Sequence, residues 1–133
     1  MRKITLLFLI ALVVLGSCKK SGSGGNTTSE VQLQIALDPD PGTAIAYAPT
    51  GQYSFNVKVT SSLPTSGVMV ALKTVKDSDN STLDSKSVQA TTTTIPLTTG
   101  DVLAGVTYTV TVTVVSNSKS SNTATKSFKL TRK

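Results

Sequence analysis

The sequence predicts an all-β domain over residues 30–133, a sandwich of seven antiparallel strands. Three observations predict this class. Apolar and polar side chains alternate with a period of two along most of the region, the alternating runs are rich in β-branched residues, and no stretch places apolar residues at helical spacing. Clusters of Pro, Gly, Asp, Asn and Ser separate the runs, as expected for turns between short strands.

The first half of this region contributes three predicted strands. In residues 31–37, Val, Leu, Ile and Leu alternate with Gln, Gln and Ala. In residues 53–60, aromatic and Val side chains alternate with Ser, Asn, Lys and Thr. Residues 68–72 place Val, Val and Leu on one face and Met and Ala on the other, so this strand is more apolar on its second face. One apolar and one polar face is typical of antiparallel strands that lie between a core and water.

The second half contributes four predicted strands. Residues 83–88 and 92–97 alternate weakly, whereas residues 106–114 alternate Val or Tyr with four threonines in the clearest run of the chain. The last run, 123–130, carries Phe128. Together the apolar faces predict a buried core made of Val31, Leu33, Ile35, Phe55, Val57, Val59, Val70, Leu72, Ile95, Tyr108, Val110, Val112 and Phe128.

Seven short strands at this spacing match an immunoglobulin-like sandwich. The segment 102–112, Val-Leu-Ala-Gly-Val-Thr-Tyr-Thr-Val-Thr-Val, resembles the stretch that precedes and enters strand F of fibronectin type III and related domains. The resemblance implies that Tyr108 is the corner tyrosine, whose hydroxyl bonds to upstream backbone, and that Gly105 is the turn glycine. The sequence departs from that family at Ala104, where Pro is preferred, and it has no Trp for the core.

Residues 1–17 have the pattern of a secretory signal peptide. Arg2 and Lys3 form a positive start, and residues 4–15 are apolar except for one Thr, a length too short for a membrane-spanning helix of about 20 residues. The following Leu-Gly-Ser-Cys at 15–18 resembles the lipobox of bacterial lipoproteins. The resemblance implies cleavage before Cys18 and lipidation of its thiol, which anchors the protein to a membrane. An ordinary secretory signal is the alternative, but it leaves the single Cys of the chain without a role.

The segment 18–29 follows as the lipidated Cys18 and a Gly/Ser-rich stretch without apolar side chains to bury. We expect a flexible tether with an end-to-end distance of about 18 Å. Lys19 occupies the position where Asp would indicate retention in the inner membrane of enterobacteria, so we expect the outer membrane of the bacterial cell envelope. The Cys-Lys-Lys start followed by Ser and Gly looks like many lipoproteins of the Bacteroidota.

Composition argues against several classes of function. The chain has no His and one Cys, which removes the usual metal sites and every His-assisted nucleophilic mechanism, so we expect no cofactor and no enzyme activity. The net charge of +6 includes four basic residues at or before Lys20, and the remaining domain has nine basic and seven acidic residues. These basic residues are scattered, whereas a nucleic-acid interface needs a clustered positive field, so we expect no nucleic-acid partner.

Three sets of residues remain candidates for chemistry. Asp77, Asp79 and Asn80 form an acidic loop that lacks the Gly and Glu of a calcium-binding EF-hand, so a turn is the stronger interpretation and a looser calcium site the weaker one. The Ser116–Lys119 spacing is that of a Ser-Lys pair, yet it lies in a turn-forming cluster. Tyr47, in a predicted loop rich in Pro, Gly and Ala, is the one aromatic residue of the domain outside the alternating runs.

The functional expectation follows by elimination. A membrane-anchored, non-catalytic lipoprotein that presents an immunoglobulin-like domain for protein interaction or envelope assembly is the first hypothesis, with a protein partner that the sequence does not identify. A carbohydrate-binding module at the cell surface is the alternative, with Tyr47 as the ligand contact because sugar rings stack on exposed aromatic faces. The first hypothesis places the contact surfaces at loop ends and edge strands.

Overall fold

The computed structural model of the protein describes residues 29–133, so Cys18, the predicted signal peptide 1–17 and nearly all of the predicted tether lie outside the described residues. No helix within 29–133 is long and apolar enough to cross a membrane. The described chain consists of strands joined by turns. They are β1 (Ile35–Asp38), β2 (Ile45–Tyr47), β3 (Ser54–Val59), β4 (Val68–Lys76), β5 (Thr82–Ala90), β6 (Thr94–Thr98), β7 (Thr107–Ser116) and β8 (Thr123–Thr131).

These strands form two sheets, which confirms the predicted all-β class. One sheet has the order β1-β3-β6, and the other has the order β2-β8-β7-β4-β5. The predicted count of seven strands was wrong, because the described chain has eight. The prediction of an entirely antiparallel arrangement was also wrong, since β2 runs parallel to β8 while the other strand pairs are antiparallel.

The additional strand is β2, and its length explains why the sequence did not reveal it. Three residues, Ile-Ala-Tyr, are too few to establish a period of two, and Pro and Gly on either side favour a loop. Pairing with a neighbour supplies what the local pattern lacks. Ala46 lies opposite Leu130, and the backbone N–H of Ala48 donates to the carbonyl oxygen of Thr131 at 2.9 Å.

The hydrophobic core lies between the sheets and contains twelve of the thirteen residues that the sequence placed there. Its largest side chains form an aromatic cluster, in which the Phe55 and Phe128 rings meet edge to face at 5.3 Å between centroids. Tyr53 packs on both, at 5.9 Å from Phe55 and 5.6 Å from Phe128. The remaining buried volume is aliphatic, and the central valines of β7 are fully buried.

Val31 is the exception, because its side chain is 57% exposed and lies outside the core. The predicted first strand began at this residue, whereas β1 begins at Ile35. Ahead of β1 the chain bonds to the β7–β8 turn: the backbone N–H of Leu33 donates to Asn122 Oδ1 at 2.7 Å. Because the chain before β1 is not part of the sheet, the Val31 side chain faces solvent, although the alternation of apolar and polar residues in the sequence includes Val31.

The strand β5 is exposed on both faces, which explains its weak alternation. Three strands in one sheet cannot cover five in the other, so the outermost strand has no opposing layer along most of its length. Polar contacts replace apolar ones on its inner side. Asp84 accepts a hydrogen bond from the Gly100 N–H at 2.8 Å, and Lys86 donates to the carbonyl oxygen of Thr98 at 2.9 Å.

Candidate functional site

The described chain starts at one end of the sandwich, where Asn122 holds it against the β7–β8 turn. The Asn122 Nδ2 donates to the carbonyl oxygen of Val31 at 3.0 Å and to the Glu30 carboxylate at 3.1 Å. Hydrogen bonds from Ser118 and then from Asn122 lower the pKa of Glu30. We call Glu30, Ser118 and Asn122 the N-terminal clip. No pattern in the sequence indicated these contacts, because they join side chains about 90 positions apart.

The opposite end of the sandwich collects several segments that are distant in sequence. Gln32, close to the clip, donates a hydrogen bond to the backbone of Thr123, the first residue of β8. Thr131 ends this strand eight residues later and therefore lies about 27 Å from Thr123 at the usual rise of a strand. Around that end the Gly105 N–H donates to the carbonyl oxygen of Arg132 at 2.8 Å. We call this region the distal end, and its exposed or half-buried side chains are Tyr47, Asp101, Leu103, Arg132 and Lys133.

Tyr47 ends the edge strand β2 instead of lying in a loop, which corrects the expectation from the sequence. Its side chain is 43% exposed, and the Lys133 ammonium lies 5.8 Å from the ring centroid, within the range of a cation–π contact. Ile45, two residues earlier, is also exposed. Since alternate residues share a face of a strand, Ile45 and Tyr47 form a small apolar patch on the outer face of the sheet.

The corner motif places Tyr108 in the core and its hydroxyl near the distal end. The side chain is 2% exposed, and the hydroxyl oxygen accepts a hydrogen bond from the Leu103 N–H at 3.4 Å. Gly105 has a positive φ of 72°, a conformation that favours Gly over residues with a Cβ. The contact and the turn shape the chain between β6 and β7 and thereby project the Leu103 side chain, which is 61% exposed.

The acidic loop after β4 directs its carboxylates to partners within the protein. Asp77 accepts hydrogen bonds from Lys129 Nζ at 2.7 Å and from the Thr109 hydroxyl at 2.6 Å, and these contacts lower its pKa. Asp79 accepts from the Ser81 hydroxyl at 2.6 Å and the Ser81 N–H at 3.0 Å, with the same direction of pKa shift. The arrangement is that of a turn tied to its own backbone.

No cluster of three or more Cys, Asp, Glu or His side chains suited to a metal ion occurs between residues 29 and 133. The Ser116 side chain is almost completely buried, and its hydroxyl forms a hydrogen bond with the Ser118 hydroxyl at 3.1 Å. Ser116 and Lys119 are thus not joined in the manner of a nucleophile and its base.

Basic side chains of the domain are mostly paired with acidic ones. Five lysines form ion pairs with five aspartates at 2.6 to 3.5 Å. Four of the pairs lie on the surface, where such a pair contributes little to stability, whereas the Asp84 side chain of the fifth is only 11% exposed. Such pairing disperses the positive charge over the surface of the sandwich. The pairs are Lys58–Asp38, Lys76–Asp79, Lys86–Asp84, Lys126–Asp40 and Lys129–Asp77.

Concave surface is found beside the N-terminal clip. An open groove of about 1100 Å³ runs between the first described residues and the β3–β4 loop, with Val31, Leu63 and Pro64 as apolar lining and Glu30 and Lys119 as charged lining. Within the clip, the Glu30 carboxylate already accepts hydrogen bonds from Ser118 and Asn122, so the groove presents mainly its apolar wall.

Fold and surface together define a class: a small two-sheet β-sandwich whose described part presents exposed ends and edges. The sequence matches no protein-family model, and no curated protein is similar to it in sequence.

Proposed function

We propose that the chain is a non-catalytic lipoprotein of the bacterial cell envelope, anchored through Cys18, whose immunoglobulin-like domain presents its distal end to a protein partner. The anchor rests on the Leu-Gly-Ser-Cys motif at 15–18, and the outer membrane is the proposed location because Lys19 follows the Cys. The interaction role rests on the geometry of the sandwich, in which the distal end lies far from the point where the described chain begins.

An immunoglobulin-like or fibronectin type III-like topology is supported by the order of the strands. The sheet β1-β3-β6 has the neighbours expected for strands A, B and E, and β8-β7-β4-β5 has those expected for G, F, C and C′. In this assignment Tyr108 lies near the start of strand F, and its hydroxyl contacts backbone five residues upstream. That contact is the one attributed to a tyrosine corner.

The observation that carries the interaction role is the position of the distal end. The described chain enters at the N-terminal clip, and Thr131 lies about 27 Å away at the far end of β8. A protein anchored at Cys18 through a short tether would turn the clip toward the membrane. The exposed Leu103 and Tyr47 would then be furthest from the lipid surface and accessible to a partner.

The anchor is tested on the protein from its native membrane. Intact mass spectrometry should show loss of residues 1–17 and a mass increase on Cys18 that corresponds to two or three acyl chains. A Cys18→Ser variant should lack the added acyl mass and keep its signal peptide. A variant that still partitions with membranes and is cleaved normally would contradict the anchor.

The partner is tested by crosslinking in living cells. A photo-reactive amino acid at Leu103, at the distal end, should give a discrete adduct with an envelope protein. The same amino acid at Ser120, which is exposed in the β7–β8 turn beside the clip, serves as the matched control. Adducts that form at Ser120 but not at Leu103 would contradict the proposed orientation.

Carbohydrate binding is the second candidate, and the observation that favours it is the exposed ring of Tyr47 with Lys133 beside it. An aromatic face next to an ammonium suits an acidic sugar. The detergent-solubilised protein on a glycan array should then lose its signal in Tyr47→Ala but not in Ile45→Ala, the exposed neighbour on the same face. Glycan binding with this pattern, together with no protein adduct at Leu103, would replace the first proposal.

A further inference from the structure

The two sheets of the described chain have four edge strands, and they differ in their capacity to pair with another strand. Exposed edges present unpaired backbone N–H and C=O groups, and proteins limit this hazard with short edges or prolines. β2 has three residues, β1 has four, and β6 has five with Pro96 at its centre. β5 has nine residues and no proline, so it is the edge that remains open to pairing.

The backbone of β5 is regular over most of its length. It pairs antiparallel with β4 from Val68 opposite Ala90 to Thr74 opposite Asp84, and the register shifts only beyond that point. In the part of the chain that the structure describes, β4 is its one neighbour in the sheet. Most of its side chains are exposed on both faces, and two of the exposed ones, Leu83 and Val88, are apolar.

The charges on β5 select one register for pairing with an identical strand. Asp84 and Lys86 lie on the same face, two residues apart, and they form an ion pair at 3.1 Å within the protein. In an antiparallel pair of two β5 strands centred on Ser85, Asp84 of each copy lies opposite Lys86 of the other. A pair centred on Lys86 would instead place two lysines directly opposite each other, which is destabilising.

We propose that β5 is a self-association edge, at which two copies of the chain pair antiparallel about Ser85 and form a continuous sheet of ten strands. The two-fold axis is perpendicular to the sheet, so both copies keep their inner faces on the same side. The contact is isologous and closes on itself, which yields a dimer and not a fibre. This edge is separate from the distal end, and the dimer does not depend on the lipid anchor or on the partner proposed above.

Cysteine crosslinking of the full chain in its membrane tests the register directly. In the proposed dimer, Ser85 of one copy lies directly opposite Ser85 of the other, with Cα atoms about 5 Å apart, a separation that a disulfide can span. Ser87 is the matched control, since it is also exposed and on the same face, but its two copies would be about 14 Å apart. The wild-type chain, in which Cys18 is the single cysteine, is the control for any crosslinking through the native thiol.

Oxidation should therefore give at least ~10 times more covalent dimer for Ser85→Cys than for Ser87→Cys. Adding Lys86→Glu to Ser85→Cys should reduce the dimer at least ~5-fold, because two acidic side chains then face each other across the pair. Lys58→Glu, on β3 of the other sheet, also removes an ion pair of an exposed lysine and should leave the yield unchanged. Equal yields at Ser85 and Ser87 would overturn the proposal, as would a Ser85→Cys adduct with a different protein in place of the dimer.

Discussion

The side-chain amide of Asn122 takes the place of a neighbouring strand for Leu33. Its Oδ1 accepts the Leu33 N–H at 2.7 Å, while its Nδ2 donates to the carbonyl oxygen of Val31, two residues earlier. Asn122 itself is almost completely buried. One side chain thus satisfies backbone groups that would otherwise be left without partners where the chain enters the sandwich.

Removing this amide should destabilise the protein. Asn122→Ala leaves the buried N–H of Leu33 without its acceptor, and we expect the free energy of unfolding to fall by about 1–3 kcal/mol. Urea denaturation followed by circular dichroism measures the change. Ser120→Ala, an exposed substitution in the same turn, should stay within about 0.5 kcal/mol. Equal effects of the two substitutions would show that the buried amide of Asn122 contributes nothing to stability.

A second test concerns the position of Val31, which is exposed in the structure although the alternating pattern alone would place it in the core. Val31→Ala should change the free energy of unfolding by less than about 0.5 kcal/mol. Phe55→Ala, in the aromatic cluster, should cost about 3–5 kcal/mol because it leaves a cavity. Thermal and urea denaturation of both variants measure these differences. A large loss in Val31→Ala would mean that the first strand extends further toward the N-terminus than β1.

Two glycines with positive φ allow the stability cost of backbone strain to be distinguished from the cost of a steric clash. Gly105 has φ +72°, and a Cβ at this position would have no heavy atom within 4 Å, whereas a Cβ on Gly67, with φ +76°, would lie 2.5 Å from the Ala90 carbonyl oxygen. Gly105→Ala should therefore cost only the conformational strain, about 1–2 kcal/mol. Gly67→Ala should cost at least about 1 kcal/mol more, since the backbone must also move. Similar losses in the two variants, measured by urea denaturation, would contradict this distinction.

The ion pair of Asp77 and Lys129 predicts a pH dependence of stability. The pKa of Asp77 is lowered in the folded protein, mainly by the hydrogen bond from Lys129. Its stabilising contribution is therefore present above the unfolded value of 3.8 and is lost as the pH falls through the folded pKa. We expect Lys129→Ala to lose less stability than the wild type between pH 6 and pH 3.

Urea denaturation at the two pH values measures that difference. Lys73→Ala is the control, since this exposed lysine lies on the same sheet but is not the partner of Asp77. Its loss of stability between the two pH values should equal that of the wild type. An unchanged pH dependence in Lys129→Ala would show that the ion pair does not influence the titration of Asp77.

Much of the fold could be predicted from the sequence because alternation is a local property. The run of Val and Thr around Val110 and the aromatic positions of Phe55 and Phe128 each predicted a strand and its buried face, and the structure confirms both. The sequence also indicated Tyr47 as a candidate ligand contact. Its exposure agrees with the prediction of an aromatic residue outside the core. Its position in strand β2 could not be predicted from the alternation of residues.

The class of fold, the strand faces and most of the core follow from the amino-acid sequence alone, since each depends on the order of apolar and polar residues within a few positions. Three features required the folded chain: residues 45–47 form a parallel edge strand, Val31 faces solvent and Asn122 holds the chain entry. The position of β5 outside the cover of the opposing sheet is a fourth. The first three features depend on which segments become neighbours across 80 or more positions of the chain, as in the bond between Leu33 and Asn122, and such contacts leave no periodic signal in the sequence. The fourth depends on the order of the strands in the two sheets, which local alternation does not specify.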